Sequence, residues 1–565
     1  MPERAADHLF LCLFFVTASF STPTSDSQLY EQSLRTRDPV PIPSRPSFLT
    51  KLCAEIIEKI WPHYKKASSR ASKPQSASPS KVLSKYGDDV VLRFRLRTQN
   101  EASAFAEAVE SLYLDLWEAS DDWADVRISQ KVLPSFLTLL PASMQQSHTP
   151  VITQLSQAVY DTFPTAQATD SWRHRTSLDR PHDLFFENYQ PLSVLYPWLR
   201  QLASMFPDTT ELSSIGTTYE GRDIPALRIG IPLPDDDPHK DDPRHTVVIV
   251  AGGHAREWIS VSTAAFLLRS LLHNYDHKQK DTVYKLLTHY DFVFMPVLNP
   301  DGYEYTWTTD RLWRKNRQET ALPFCRGIDF DRAFPFGWNG DNQTDNPCSE
   351  AYAGEHPLQA VEAQRLYDWA KNESSSRKFT AFIDLHSYSQ EILYPYSYTC
   401  YRRPSNLEDL EELAVGLAKA FRTTNGHHYG VESACEGSML NTATSTKDIG
   451  MVRTRIEESG GSALDFFYHD LQVKYAFQVK LRDTGSYGFL LPKENILPTG
   501  VETFSALLGL GKWLLGNRGI EGYANLSDDE IWGKEEVIIN EFKVIQETND
   551  DADEDEGGSW FRRKR

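Results

Sequence analysis

The sequence predicts an α/β protein, a sheet with helices packed against it, preceded by a smaller α+β unit. Two observations carry this. In the long stretch 184–518, four short apolar runs rich in β-branched and aromatic residues (246–250, 292–297, 382–385 and 475–479) are separated by long helical or loop segments. A sheet assembled this way takes its ligands at the carboxyl ends of its strands. In the shorter stretch 85–160, Leu92, Phe94 and Leu96 alternate with Arg93, Arg95 and Arg97, the period of a half-buried strand. Residues 102–112 then carry helical spacing. Runs 112–117 and 126–128 read as further strands, and the segment after Pro134 reads as a second helix, an α+β order.

Around these two units the chain changes character. Arg4 and the apolar run from Leu9 to Phe20 read as a secretory signal over 1–21. A polar extension fills 22–84, with a Ser, Ala, Lys and Pro-rich linker at 66–80. The stretch 161–183 is a polar connector carrying Arg173-His174-Arg175, the kind of segment proteases cut. Residues 519–565 form an acidic tail, read as solvated and disordered. A formal charge of -19 over 565 residues argues against nucleic acid or an anionic membrane as main partner. No stretch past the N-terminus is long and apolar enough to span a bilayer. Secretion makes disulfides available. With Cys12 lost alongside the signal, Cys53, Cys325, Cys348, Cys400 and Cys435 remain, an odd number that leaves at least one thiol over. Asn342, Asn372 and Asn525 each open an N-x-S/T sequon, a glycan acceptor in a secreted chain.

The chemistry starts where the first main strand ends. Thr246-Val247-Val248-Ile249-Val250 runs into Ala251-Gly252-Gly253-His254-Ala255-Arg256-Glu257-Trp258. The glycines break the strand, and one turn of backbone aims His254 and Glu257 at a single point. Imidazole and carboxylate are ordinary zinc ligands, and a catalytic zinc takes three protein ligands plus water. Alone, H-x-x-E is weak, equally a solvated ion pair in a loop. Ala381-Phe382-Ile383-Asp384-Leu385-His386 repeats the pattern, an apolar strand ending in a histidine placed to enter the same crevice.

H-A-R-E-W, N-P-D-G-Y (Asn299 to Tyr303), R-L-W-R-K (Arg311 to Lys315), D-L-H-S-Y-S and L-R-D-T-G-S-Y-G-F-L-L-P (Leu481 to Pro492) follow one another in order. In this the chain resembles the zinc metallocarboxypeptidases of the pancreatic carboxypeptidase A and B type, peptidase family M14, nearly end to end over 184–518. The resemblance implies a mixed eight-stranded sheet with helices on both faces, and makes 85–160 similar to the propeptide that caps the cleft in that family. It implies one zinc held by His254, Glu257 and His386. Arg314 would polarise the scissile carbonyl, and Arg332 would clamp the substrate's terminal carboxylate. Arg256, Ser387 and Tyr388 match substrate-subsite positions. Cys325 matches Cys348 as the family's common disulfide, and Cys400 with Cys435 a second one seen in some members. Cys53 would be the leftover thiol.

The resemblance breaks at one decisive residue. The family carries a glutamate in F-x-F-E-L-R-D-T-G, the general base that takes a proton from zinc-bound water. Here Phe477-Gln478-Val479-Lys480-Leu481-Arg482-Asp483-Thr484-Gly485 puts Lys480 at that position. An ammonium has three donors and no acceptor. Asp331 stands where the family has asparagine, and is expected to repel a substrate carboxylate and to occupy Arg332. The family's substrate-clasping tyrosine falls near Ile456, and the specificity position at Ala463 or Leu464, both apolar. The combination resembles a fungal group of inactive metallocarboxypeptidase-like proteins linked to cell-wall organisation, found in the secretory pathway or vacuole. The expectation is a zinc-binding pseudoenzyme that engages peptide or protein C-termini. The alternatives are an active carboxypeptidase removing apolar C-terminal residues with Lys480 as a neutral base, or a secreted protein in which even the metal is vestigial.

Overall fold

The computed structural model describes residues 84–120, 123–164, 184–233, 242–274, 282–338, 346–436, 439–443, 451–455 and 460–517. The signal at 1–21, Cys12, Cys53, nearly all of the extension 22–84, most of the connector 161–183, Ile456, the sequons at Asn342 and Asn525 and the tail from 518 onward lie outside the described residues.

The first unit is built from β1 (Asp89–Arg95), α1 (Gln99–Ser111), β2 (Asp115–Ser120), β3 (Trp123–Ser129), α2 (Leu133–Leu139), β4 (His148–Ile152) and α3 (Leu155–Asp161). Its strands form an antiparallel sheet in the order β2-β3-β1-β4. The Thr98 hydroxyl caps α1 by accepting from the Glu101 N–H at 3.2 Å, satisfying one of the donors a helix start leaves open. Phe94, Phe105 and Phe136 meet in the core under the sheet. The β4–α3 segment extends the sequence reading, which stopped at the second helix.

The main unit carries α4 (Leu192–Met205), β5 (Thr210–Thr217), β6 (Asp223–Ile229), β7 (Arg244–Ala251), α5 (Trp258–Asn274), α6 (Thr282–His289), β8 (Tyr290–Met295), α7 (Pro300–Thr308), α8 (Val361–Glu373), β9 (Arg377–Ser387), β10 (Glu391–Tyr394), α9 (Leu407–Asn425), β11 (Gly430–Ser433), the pair β12 (Met439–Ala443) and β13 (Met451–Arg455), β14 (Tyr475–Leu481) and α10 (Ile496–Leu514). Eight strands form one mixed sheet in the order β11-β10-β14-β9-β7-β8-β6-β5. The centre, β14-β9-β7-β8, is parallel; β5 and β6, and β10 against β14, are antiparallel. Val247 through Ala251 are buried without a break, so the sheet is covered on both faces. That run is what made β7 readable in the sequence. Among the described residues no helix is long and apolar enough to cross a membrane.

Register fixes what stands at the strand ends. Ala251 pairs with Leu385, His386 with Lys480, and Lys480 with Glu391. The loop after β7 and the ends of β9 and β14 therefore open onto one crevice, where the strand order predicts a ligand site.

Candidate metal centre

Gly252 turns the chain out of β7 with φ of +64°, the left-handed region that glycine enters freely, and a Cβ there would approach the Val297 backbone to 3.1 Å. The N-P-D-G-Y segment holds this loop in place. Asn299 caps α7 by accepting from Gly302 N–H at 2.9 Å, and its amide donates to the Gly253 carbonyl at 3.2 Å. His254 and Glu257 then face His386 across the crevice.

Ligand atoms of His254, Glu257 and His386 lie within 4.8 Å of one another, all three residues buried. Nδ1 of His254 is 2.9 Å from Glu257 Oε1, and Nδ1 of His386 is 3.1 Å from Glu257 Oε2. The far nitrogens point the other way, each onto a carboxylate: Asp329 Oδ1 lies 2.9 Å from His254 Nε2, and Asp384 Oδ1 lies 3.1 Å from His386 Nε2. Carboxylates behind both imidazoles leave the two Nδ1 atoms converging, the second-shell pattern of metal-binding histidines. Burial opposes charge on Glu257, but His386 and His254 hold it well below the usual carboxylate range. Burial likewise opposes a charged His386, which Asp384 and Glu257 push well above the ordinary imidazole value. The donor set and its orientation fit a zinc-type ion. Asp329 and Asp384 were not singled out in the sequence. For Asp384 a signal existed, since Asp384 and His386 are two apart on one strand and share a face.

Arg314 and Arg332 both line the cavity, and both turn to Asp329: Arg314 Nη2 donates to Oδ2 at 2.9 Å, and Arg332 Nε lies 3.3 Å from the same oxygen. Burial would raise the Asp329 pKa; Arg314, His254 and Arg332 hold it well below the usual range. The expected Asp331–Arg332 pairing is corrected here. Phe330–Arg332 is a single 3-10 turn, so the adjacent side chains diverge and Asp329, three residues back, meets the guanidinium. Asp331 instead accepts from Gln478 Nε2 at 2.9 Å and from the Ala463 N–H at 3.2 Å. Of the two candidates for the specificity position, Leu464 lines the cavity and Ala463 is not among its lining residues.

Two expected subsite residues face the first unit. Arg256, fully buried, donates to Asp115 at 2.8 Å and stacks 4.0 Å from the Phe489 ring. The Tyr388 hydroxyl donates to Asp125 at 2.9 Å. Ser387 lines the cavity and donates its N–H to Glu257 at 2.9 Å. The cavity itself measures about 100 Å³, room for a few waters, and β2 roofs it with Leu116, Trp117, Glu118 and Ala119.

Under that roof Lys480 Nζ stands 3.0 Å from Glu118 Oε1 and 3.1 Å from Glu391 Oε2. Burial disfavours the ammonium, yet the two carboxylates outweigh it and hold the Lys480 pKa above its ordinary value. Burial pushes the Glu118 carboxyl up, against the pull of Lys480 and with Glu391 adding to it. An ammonium held between two carboxylates has no lone pair to offer, which speaks against the neutral amine as base.

The family model for zinc carboxypeptidases matches residues 195–506. An inactive metallocarboxypeptidase ECM14 from Ajellomyces capsulatus is 45% identical, covering 98% of this chain and 98% of the relative. The chain belongs to the zinc carboxypeptidase family. The crystal structure of thrombin activatable fibrinolysis inhibitor matches with a TM-score of 0.62 and 27% identity, over 76% of this chain and 100% of that one. The bovine form of that inhibitor, in complex with tick carboxypeptidase inhibitor, matches at a TM-score of 0.50 and 32% identity, over 59% of this chain and 99% of that one. Both cysteine pairs of this zinc carboxypeptidase homologue are bonded as the resemblance implied, Cys325 to Cys348 and Cys400 to Cys435.

Proposed function

We propose that this chain is a zinc-binding carboxypeptidase homologue that does not hydrolyse peptides, works in the secretory pathway or vacuole, and serves fungal cell-wall organisation by engaging peptide or protein C-termini. The observation that carries the loss of hydrolysis is Lys480 fixed between Glu118 and Glu391 at the general-base position. Zinc held by His254, Glu257 and His386 would supply a Lewis acid that polarises a carbonyl and acidifies a bound water. With lysine where the family's glutamate is expected, the deficit from the base alone is about 10²–10⁴-fold in rate. The inactive relative named above supports the same reading.

The supporting case for C-terminus binding is Arg314 and Arg332 lining a cavity beside the metal ligands, with apolar Leu464 at its wall. One structural relative is in complex with tick carboxypeptidase inhibitor. The first unit is read as a propeptide-like cap over 85–160, the connector as 161–183 and the main unit as 184–518. Two disulfides suit an oxidising compartment, and exposed Asn372 on α8 suits a glycan. The test is a panel of blocked dipeptides assayed beside metal analysis of the same preparation. No released C-terminal residue with about one zinc per chain is the expected result. Chelator-sensitive release would overturn the reading.

A further inference from the structure

The first unit and the main unit meet across a seam of opposite charges. From β2 and β3 come Asp115, Glu118 and Asp125; from the main unit come Arg256, Lys480 and the Tyr388 hydroxyl. Arg93 adds a bridge of its own, holding Asp125 through two bonds of 2.7 and 2.8 Å while donating to the Thr484 carbonyl at 3.0 Å. Around them runs an apolar cluster drawn from both sides, with Trp117 against Phe489 and Tyr388 against the same ring. Lys480 is distinct within this seam. It sits at the floor of the cleft beside His386, and among the described residues the one carboxylate reaching it from the first unit is Glu118.

We propose that Lys480 is a docking residue for the first unit, and that through Glu118 it keeps that unit seated over the cleft even when the chain between residues 164 and 184 is cut. A buried ammonium costs solvation that only well-placed carboxylates offset. Glu391, on the neighbouring strand, supplies one permanently, and Glu118 supplies the second only while the first unit is docked. Departure of the first unit strips Lys480 of one counter-charge and exposes the apolar cluster together. The position that would hold the catalytic base thus becomes an anchor, and the chain works as a closed two-part body rather than an open cleft. This goes beyond the reading above, since it holds whether or not zinc is bound.

The test uses the full chain with a site-specific protease sequence inserted within 165–183. After cleavage, the two fragments of the unchanged seam should co-elute on gel filtration at micromolar concentration. Glu118→Ala should raise the fragments' dissociation constant by roughly 30-fold or more, the effect of truncating one partner of a buried charge pair. The charge exchange Glu118→Lys with Lys480→Glu should recover part of that loss. Fragments that stay equally tight in Glu118→Ala, or separate fully in the unchanged chain, would overturn the proposal. Zinc content measured on every sample reports on the metal reading separately, because a chain that loses zinc while its fragments stay together counts against that reading and leaves the docking role standing.

Discussion

β9 and β14 lie side by side in the sheet and end in the same crevice, yet they have had different fates. At the end of β9, His386 keeps a ligand nitrogen turned to Glu257 and a carboxylate behind the other nitrogen. At the same level on β14, Lys480 presents donors only. His386 is buried and Lys480 half-buried, and both are enclosed by two carboxylates. The metal site is assembled from the β7 loop and β9, and replacing a side chain on β14 leaves all three ligands and their orienting carboxylates in place. The difference teaches that a group able to hold a metal and the residue facing it from the next strand are set by separate elements, one strand apart.

Zinc affinity separates the two strands most sharply. His386→Ala removes a ligand and should weaken zinc binding by more than about 100-fold, measured by competition with a chromogenic chelator, because even the loss of a ligand's orienting partner costs about 10–100-fold. Asp384→Asn keeps His386 but takes away the charge behind it, and should fall within that range of about 10–100-fold. Lys480→Met, next to His386 in the sheet, should shift zinc affinity by less than about 10-fold, below either of the others. A Lys480→Met effect as large as that of Asp384→Asn would erase the distinction between the strands.

Much of this could be seen in the sequence, and the rest has physical reasons for hiding. β7, β8, β9 and β14 were legible because central strands are buried on both faces and read as unbroken apolar runs. β5 is half exposed along its length, and β10 and β11 are four residues each, too short for a period to emerge. His254, Glu257 and His386 were legible as residue types at strand ends, a local property. Glu118 was not, since its reach into the cleft depends on how one unit seats on another. Glu391 was hidden for a similar reason: it meets Lys480 only through the pairing of β10 with β14. The Asp331–Arg332 pairing failed because adjacency in sequence is not adjacency in a 3-10 turn, where residues three apart share a side.

The register pairing of Glu391 with Lys480 also bears on what a glutamate at position 480 would meet. Restoring glutamate at 480 alone would set its carboxylate beside those of Glu391 and Glu118, three acids close together with the lysine that now separates two of them gone. Such a group takes up protons instead of ionising, so the new glutamate would be a poor base from the start. Lys480→Glu should show no peptidase activity on the dipeptide panel, whereas a chain that also carries Glu391→Leu and Glu118→Ala is the background in which any activity should first appear. Two neighbouring carboxylates thus make the lysine at 480 part of a three-residue arrangement, so that a change at 480 alone is not a simple exchange of one side chain.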